Sequence, residues 1–136
     1  MWRLYAILSA LFAALTSIFA KVGLQDINSD LATAIRTTII LLLTWGIVVF
    51  GHKAQGISDI TWHTWLFLIL SGISTGLSWL FYFKALQTGD VSRVAPIDKL
   101  SIVITILLAF IFLHERVTLR VLIGSLLISG GVLLML

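Results

Sequence analysis

The sequence predicts an all-α integral membrane protein, a bundle of five transmembrane helices. Of its 136 residues, 60% are hydrophobic and 11% are charged, whereas about 25% of the residues of an ordinary soluble domain are charged. The mean hydropathy is +1.12, and the apolar residues fall in runs of the length that crosses a bilayer. A soluble domain of this size could not bury so much apolar surface, so a soluble globular protein is excluded.

The first two helices are predicted at about residues 3–24 and 31–50. The first apolar run follows Arg3 but is longer than the hydrophobic region of a signal peptide, which has about 7–15 residues. It is therefore interpreted as a membrane helix. The second run begins after Asn28-Ser29-Asp30, residue types that favour a helix N-cap, and it ends where Gly51 opens a polar, glycine-containing stretch.

The remaining helices are predicted at about 62–86, 92–113 and 118–136. Pro96 is expected in or near the first turn of the fourth helix, as a helix-start or kink residue, because a missing N–H matters least there. The turn 114–117 is short enough to join two antiparallel helices. The short loops leave room for one domain only, covering residues 1–136, and for no soluble catalytic or nucleotide-binding module.

The composition also argues against several chemistries. The absence of cysteine excludes disulfides and thiolate metal sites. The three histidines share no helical spacing or acidic partners, so no metal site and no cofactor is expected. No catalytic motif is present, so the protein is not expected to be an enzyme. The net charge is +3, but the bases flank apolar runs, where they set membrane topology, and no nucleic-acid partner is expected.

Charged residues near the helix ends are the most informative feature of the sequence. An ionisable group within a span is costly and usually faces a cavity or a partner. One alternative for Lys21 and Lys84 is snorkelling, in which a long stem carries the charge to the interface. Asp98 is too short for that, so it is either half of a structural ion pair or a functional group. The residues predicted to line one vestibule on a single side of the membrane are Lys21, Arg36, Lys84, Asp98 and Lys99.

Aromatic residues allow two interpretations. The five tryptophans can form the belts that mark the membrane interfaces. Alternatively, Trp79 and Tyr82, one helical turn apart, form the walls of a pocket for an organic substrate. The sequence alone does not distinguish the interfacial belt from the pocket wall.

Small residues recur on the first, third and fifth helices. Examples are Ala6, Ala10 and Ala14 on the first, Gly72 and Gly76 on the third. In lipid, such faces let helix backbones approach closely. They indicate either tight packing within the bundle or a contact with a second copy.

Six segments of the sequence form a recognisable set: YFKALQTGDVSRVAP at 82–96, LHERVT at 113–118, IG at 123–124, GGV at 130–132, FAK at 19–21 and AIR at 34–36. In combination they resemble the EamA-like domains of the drug/metabolite transporter superfamily. The resemblance covers essentially the whole chain, and its motifs are specific only in combination. It implies a five-helix half-transporter, because typical relatives carry two such domains in inverted topology. Unlike the four-helix small multidrug members, this chain has no acidic residue in its first helix.

The predicted function is secondary transport of a small metabolite, an amino acid or a lipophilic organic compound by alternating access. The expected partners are the lipid bilayer, the substrate and a second copy of the chain, arranged parallel or antiparallel. Basic residues are nearly balanced between the two sides, which permits dual insertion. The expected location is the cell membrane, as a multi-pass protein. The alternative is a non-transporting subunit or scaffold that assembles with another membrane protein.

Overall fold

The computed structural model describes residues 1–135, and every regular element in them is helical. A short 3₁₀ turn at Ala54–Asp59 joins the second and third helices. The α-helices are α1 (Trp2–Gly23), α2 (Ser29–Phe50), α3 (Trp62–Thr88), α4 (Val91–Asp98), α5 (Ser101–Phe112) and α6 (Leu119–Met135).

Four segments of the described chain are long and apolar enough to cross a membrane. They are α1, α2, α3 and the α4–α5 pair taken together over Val91–Phe112. The sixth helix, α6, is apolar but has 17 residues, the lower end of the spanning range of about 17–25 residues. The architecture is that of an integral, multi-pass membrane bundle, while the fifth span predicted at 118–136 stays a prediction. Its last residue lies outside the described residues.

The start of α2 follows from local side-chain chemistry. Asn28 has extended backbone dihedrals, and its side-chain oxygen accepts hydrogen bonds from the backbone N–H groups of Asp30 and Leu31. These N–H groups belong to the first turn of the helix, where no carbonyl precedes them to act as acceptor. The predicted cap is thus present, and it starts the helix two residues before the predicted boundary.

The fourth predicted helix, 92–113, is broken in the structure, which corrects the expectation of one continuous helix. The α-helical pattern stops at Asp98 and resumes at Ser101. Across the break, Lys99 N–H donates to the Pro96 carbonyl at 2.9 Å, and Leu100 N–H donates to the Ile97 carbonyl at 3.0 Å. These bonds span three residues instead of four, so the chain tightens into a 3₁₀-like turn.

Pro96, which was predicted in or near the first turn, is the sixth residue of α4 and lies inside its second turn. A proline here removes an interior helical hydrogen bond to the residue four positions earlier, and its ring crowds that carbonyl. The break between α4 and α5 follows Pro96 by three residues, and the role of Pro96 as its cause stays a prediction.

Packing within the chain divides the described residues into two compact units. The central unit contains residues 19–87, and its buried apolar side chains are Leu24, Phe83 and Leu86. The terminal unit contains residues 1–18 and the described residues from 88 onward. In the terminal unit, α6 packs against both α4 and α5, and Val132 of α6 is buried. Most other large apolar side chains are exposed, as expected of helices whose solvent is lipid.

The small-residue faces have open space beside them within their own units. A Cβ atom placed on Gly72 or Gly76 of α3, or on Gly124, Gly130 or Gly131 of α6, meets no atom within 4 Å apart from its own helical backbone and chain neighbours. The glycines of these faces are therefore not explained by close helix contacts inside either unit. The two interpretations of these faces, packing within the bundle and contact with a second copy, both stay predictions.

Candidate functional site

Among the basic residues of the central unit, Arg36 lies farthest from an end of its helix. It is the eighth residue of α2, so at 1.5 Å per residue it lies about 10 Å along the helix from Ser29. With 22 residues, α2 is about as long as the hydrocarbon core of about 30 Å is thick, so a residue at this position lies within the span. Arginine keeps its charge at such positions. Its presence there requires a specific environment.

Two aromatic rings of α3 provide part of that environment. The guanidinium carbon of Arg36 lies 4.2 Å from the ring centroid of Trp79 and 5.0 Å from that of Phe83. Both distances are within the range of a cation–π interaction, and tryptophan is the most favourable ring for it. Because Trp79 and Phe83 are four residues apart, they lie on one face of α3. The two rings hold the guanidinium against α3.

The aromatic contacts leave the hydrogen-bonding capacity of Arg36 unused. Its Nη1 atom is buried and has no hydrogen-bond acceptor within the central unit, and no carboxylate of that unit pairs with the guanidinium. A guanidinium has five N–H donors in a fixed fork, and it binds carboxylates in a bidentate manner. A buried donor without an acceptor is unfavourable by about 1–3 kcal/mol. The arrangement thus leaves a buried donor that an anion can satisfy.

The hydroxyl groups on the same face of α2 are already occupied as donors. Thr33 is buried, and its hydroxyl donates to the Ser29 carbonyl at 2.8 Å. Thr37 donates to the Thr33 carbonyl at 2.7 Å. Such bonds from a threonine to the carbonyl one turn earlier are common inside helices. Unlike these two hydroxyl groups, Arg36 has an N–H donor on this face that no acceptor of the unit satisfies.

Lys21 links the end of α1 to the end of α3 by a hydrogen bond. Its ammonium donates to the Leu86 carbonyl at 2.7 Å, and Leu86 is fully buried. The last carbonyls of a helix lack an intrahelical donor and carry partial negative charge, so a cation here satisfies both needs. Close by in the chain, the Gln87 side chain donates to the Ile27 carbonyl at 2.9 Å and ties the α1–α2 connection to α3. Lys21 thus has a structural partner, and snorkelling alone does not describe it.

The two other predicted residues of α3 differ in placement. Tyr82 is half-buried, and its ring meets that of Phe83 edge-on at 6.3 Å between centroids. Lys84 is exposed. Trp79 and Phe83 lie beside Arg36, while the pocket wall formed by Trp79 and Tyr82 stays a prediction. Among the five tryptophans Trp79 alone is half-buried while the other four are exposed, so a belt role suits those four and a wall role suits Trp79.

The terminal unit holds the other predicted site residues. Lys99 and Asp98 form an ion pair with 3.2 Å between Nζ and the carboxylate oxygen, and both side chains are more than a third exposed. Lys99 also lines an open groove of about 450 Å³ between α4 and α6. Apart from Lys99 the groove is lined by Ala95, Pro96, Leu127, Ile128, Gly131, Val132 and Met135.

Five of the predicted site residues take part in three contacts. Arg36 contacts Trp79, Lys21 binds the end of α3, and Asp98 pairs with Lys99. Their role in a substrate pathway, and the single vestibule, stay predictions. Sequence reasoning missed Phe83, although its spacing of four residues from Trp79 was available as a signal. In residues 1–135, no three His, Asp or Glu side chains gather as a metal-binding group.

Comparison with known proteins decides the family. The sequence matches the EamA-like transporter family over residues 1–136. The chain belongs to this family. It is a membrane transporter at that level of description, and the resemblance found in the sequence is confirmed. Family membership supports a non-enzymatic role.

Relatives of this EamA-like chain have two lengths. An uncharacterized transporter in the cobO 3' region of a Sinorhizobium species is 52% identical over 98% of this chain and 95% of that protein. An uncharacterized transporter of Bacillus subtilis, YvbV, is 31% identical over 96% of this chain but 43% of its own length. An uncharacterized protein of Methanocaldococcus jannaschii, MJ1333.1, is 29% identical over 95% of this chain and 91% of its own. No solved structure matches the chain significantly.

Proposed function

We propose that this EamA-like chain acts as half of a secondary transporter, with a second copy of the same chain as the other half. The observation that carries the proposal is the difference in length between relatives. The chain accounts for 43% of YvbV but 95% of the Sinorhizobium transporter. If the longer protein performs transport with two such halves, the shorter ones reach the same architecture by pairing.

Two further features support pairing. The glycines of α3 and α6 have open space beside them within their own units, and in lipid such faces are suited to contact between helices. The nearly equal number of basic residues on the two sides also permits insertion in both orientations, which an antiparallel pair requires. In the proposed cycle, one half rocks against the other and opens the substrate site to alternate faces of the cell membrane.

The proposed substrate is a small organic molecule, either a metabolite, an amino acid or a lipophilic compound. Purified protein reconstituted into vesicles should show saturable counterflow of at least one solute from a metabolite panel. Empty vesicles, and vesicles holding an unrelated membrane protein, serve as controls. A chain that moves no solute at any gradient and instead copurifies with a different membrane protein would favour the alternative, a non-transporting subunit.

Orientation is tested with single cysteines, which are unique labels because the chain has none of its own. Gln25, between α1 and α2, and Gln55, between α2 and α3, are both exposed and lie on opposite ends of α2. In intact cells, an impermeant maleimide should label Gln25→Cys and Gln55→Cys both to about half if the chain inserts in both orientations. Labelling at one position alone would refute dual insertion, while leaving a parallel pair open to the mass measurement described below.

A further inference from the structure

We infer that the Arg36 guanidinium, seated on Trp79, is the recognition site for the carboxylate of an organic monocarboxylate substrate. The inference rests on the proposed transport function, for which it specifies the class of substrate. Arg36 lies about 10 Å along an apolar helix from its first residue. A charge within a membrane span is unfavourable in free energy unless another group compensates it.

The compensation within the chain is incomplete. The rings of Trp79 and Phe83 stabilise the positive charge, at 4.2 and 5.0 Å from the guanidinium carbon. Neither ring accepts a conventional hydrogen bond, and the buried Nη1 has no acceptor. The site therefore lacks one thing, an acceptor that carries negative charge. A carboxylate supplies it, with two oxygens that match the fork of the guanidinium.

The charge present favours a monoanion over a phosphate monoester. In the central unit, the ammonium of Lys21 is engaged with the Leu86 carbonyl, at 2.7 Å. The hydroxyls of Thr33 and Thr37 donate to backbone carbonyls of α2. The guanidinium of Arg36 itself carries one positive charge, which balances the single negative charge of a carboxylate. A dianion in the same place would keep an uncompensated charge at a depth where that is costly.

The aromatic seat also indicates the rest of the ligand. Trp79 lies 4.2 Å from the guanidinium carbon and covers one side of the guanidinium, which limits the directions from which a carboxylate can bind. The sequences of α2 and α3 on either side of this contact are apolar, which suits an apolar organic group. A small inorganic anion would leave these surfaces without a partner. The preferred ligand is thus an amphipathic monocarboxylate.

Binding is measured on the full chain in maltoside detergent, which contains no phosphate. Trp2, Trp45, Trp62 and Trp65 are replaced by phenylalanine, so that the fluorescence reports on Trp79 alone. The probes are propionate, hexanoate and phenylacetate, each compared with its neutral primary amide, and inorganic phosphate. We expect at least one carboxylate to bind saturably, about tenfold or more tighter than its amide, because a charge-assisted bidentate contact is lost in the amide.

Two variants decide whether Arg36 causes this preference. Arg36→Gln should reduce the carboxylate-to-amide ratio to about one, and Arg36→Lys should keep part of it, because lysine keeps the charge and loses the fork. Arg116→Gln, which removes an arginine from the exposed stretch before α6, should leave the ratio unchanged. Circular dichroism of each variant checks that the helices are intact.

Several results would overturn the inference. One is a carboxylate preference that survives Arg36→Gln, and another is no response to any of the carboxylates up to about 10 mM, an affinity too weak for recognition. Tighter binding of phosphate than of every carboxylate would indicate a general anion site. A response suppressed in nanodiscs of phosphatidylglycerol but not in detergent would assign the guanidinium to a lipid headgroup. If carboxylates bind as expected and vesicles transport nothing, the transport proposal fails and the binding site stands.

Discussion

Replacing Lys21 with methionine removes the ammonium that joins α1 to the end of α3 and keeps a side chain of similar length. The bond to the Leu86 carbonyl is short, 2.7 Å, and Leu86 is fully buried. A hydrogen bond from a charged donor contributes about 1.5–3 kcal/mol. The interaction of a cation with a helix C-terminus adds about 0.3–1 kcal/mol. Because these terms overlap, we expect Lys21→Met to lower the free energy of unfolding by about 2–3 kcal/mol.

The assay is unfolding in mixed micelles with increasing SDS, followed by tryptophan fluorescence. Lys53→Met is the matched control, because Lys53 lies in the exposed turn after α2 and its ammonium makes no hydrogen bond or ion pair among the described residues. It should change stability by less than about 0.5 kcal/mol, as expected of an exposed substitution. Equal stability of the Lys21 and Lys53 variants would refute the proposed fastening of α1 to α3.

Three further substitutions test other parts of the structure. Asn28→Ala should lower the free energy of unfolding by about 1 kcal/mol, because two N–H groups of α2 lose their cap; no change in SDS unfolding would contradict the cap. Gly76→Leu should shift purified protein from pairs to single chains on sizing in detergent, while Gly46→Leu, also in open space, should not; equal shifts would exclude a specific glycine face. Asp98→Asn should lower solute uptake more than folded yield, and equal loss of both would make its ion pair with Lys99 purely structural.

The elements of the fold were predictable where the signal is local. The apolar runs gave the helices to within about two residues at most ends, and Asn28 was recognisable as a cap because capping depends on residues two and three positions away. The break near residues 99 and 100 was not predicted. Whether Pro96 lies in the first or the second turn of its helix depends on the residue at which α4 begins, and the sequence defines that boundary only to within a few residues.

The candidate site was predictable only in its members. The sequence pointed to Arg36 as a charge near the start of a span and to Trp79 as either an interfacial residue or a pocket wall. Their contact joins α2 to α3 across 43 positions of sequence, and no local pattern specifies which face of each helix meets the other. Phe83 was missed for the same reason, because its role depends on the contact of its ring with the Arg36 guanidinium. The bond between Lys21 and the Leu86 carbonyl involves a backbone group, which carries no sequence signal at all.

The central claim is that two copies of this half-length domain form the working unit. Native mass spectrometry of the protein released from mild detergent measures this directly. Since one chain has a mass of 15.0 kDa, the account predicts a main species of about 30 kDa, as expected of a closed two-fold pair. A 15.0 kDa species alone, from a preparation that still catalyses saturable solute uptake in vesicles, would contradict it.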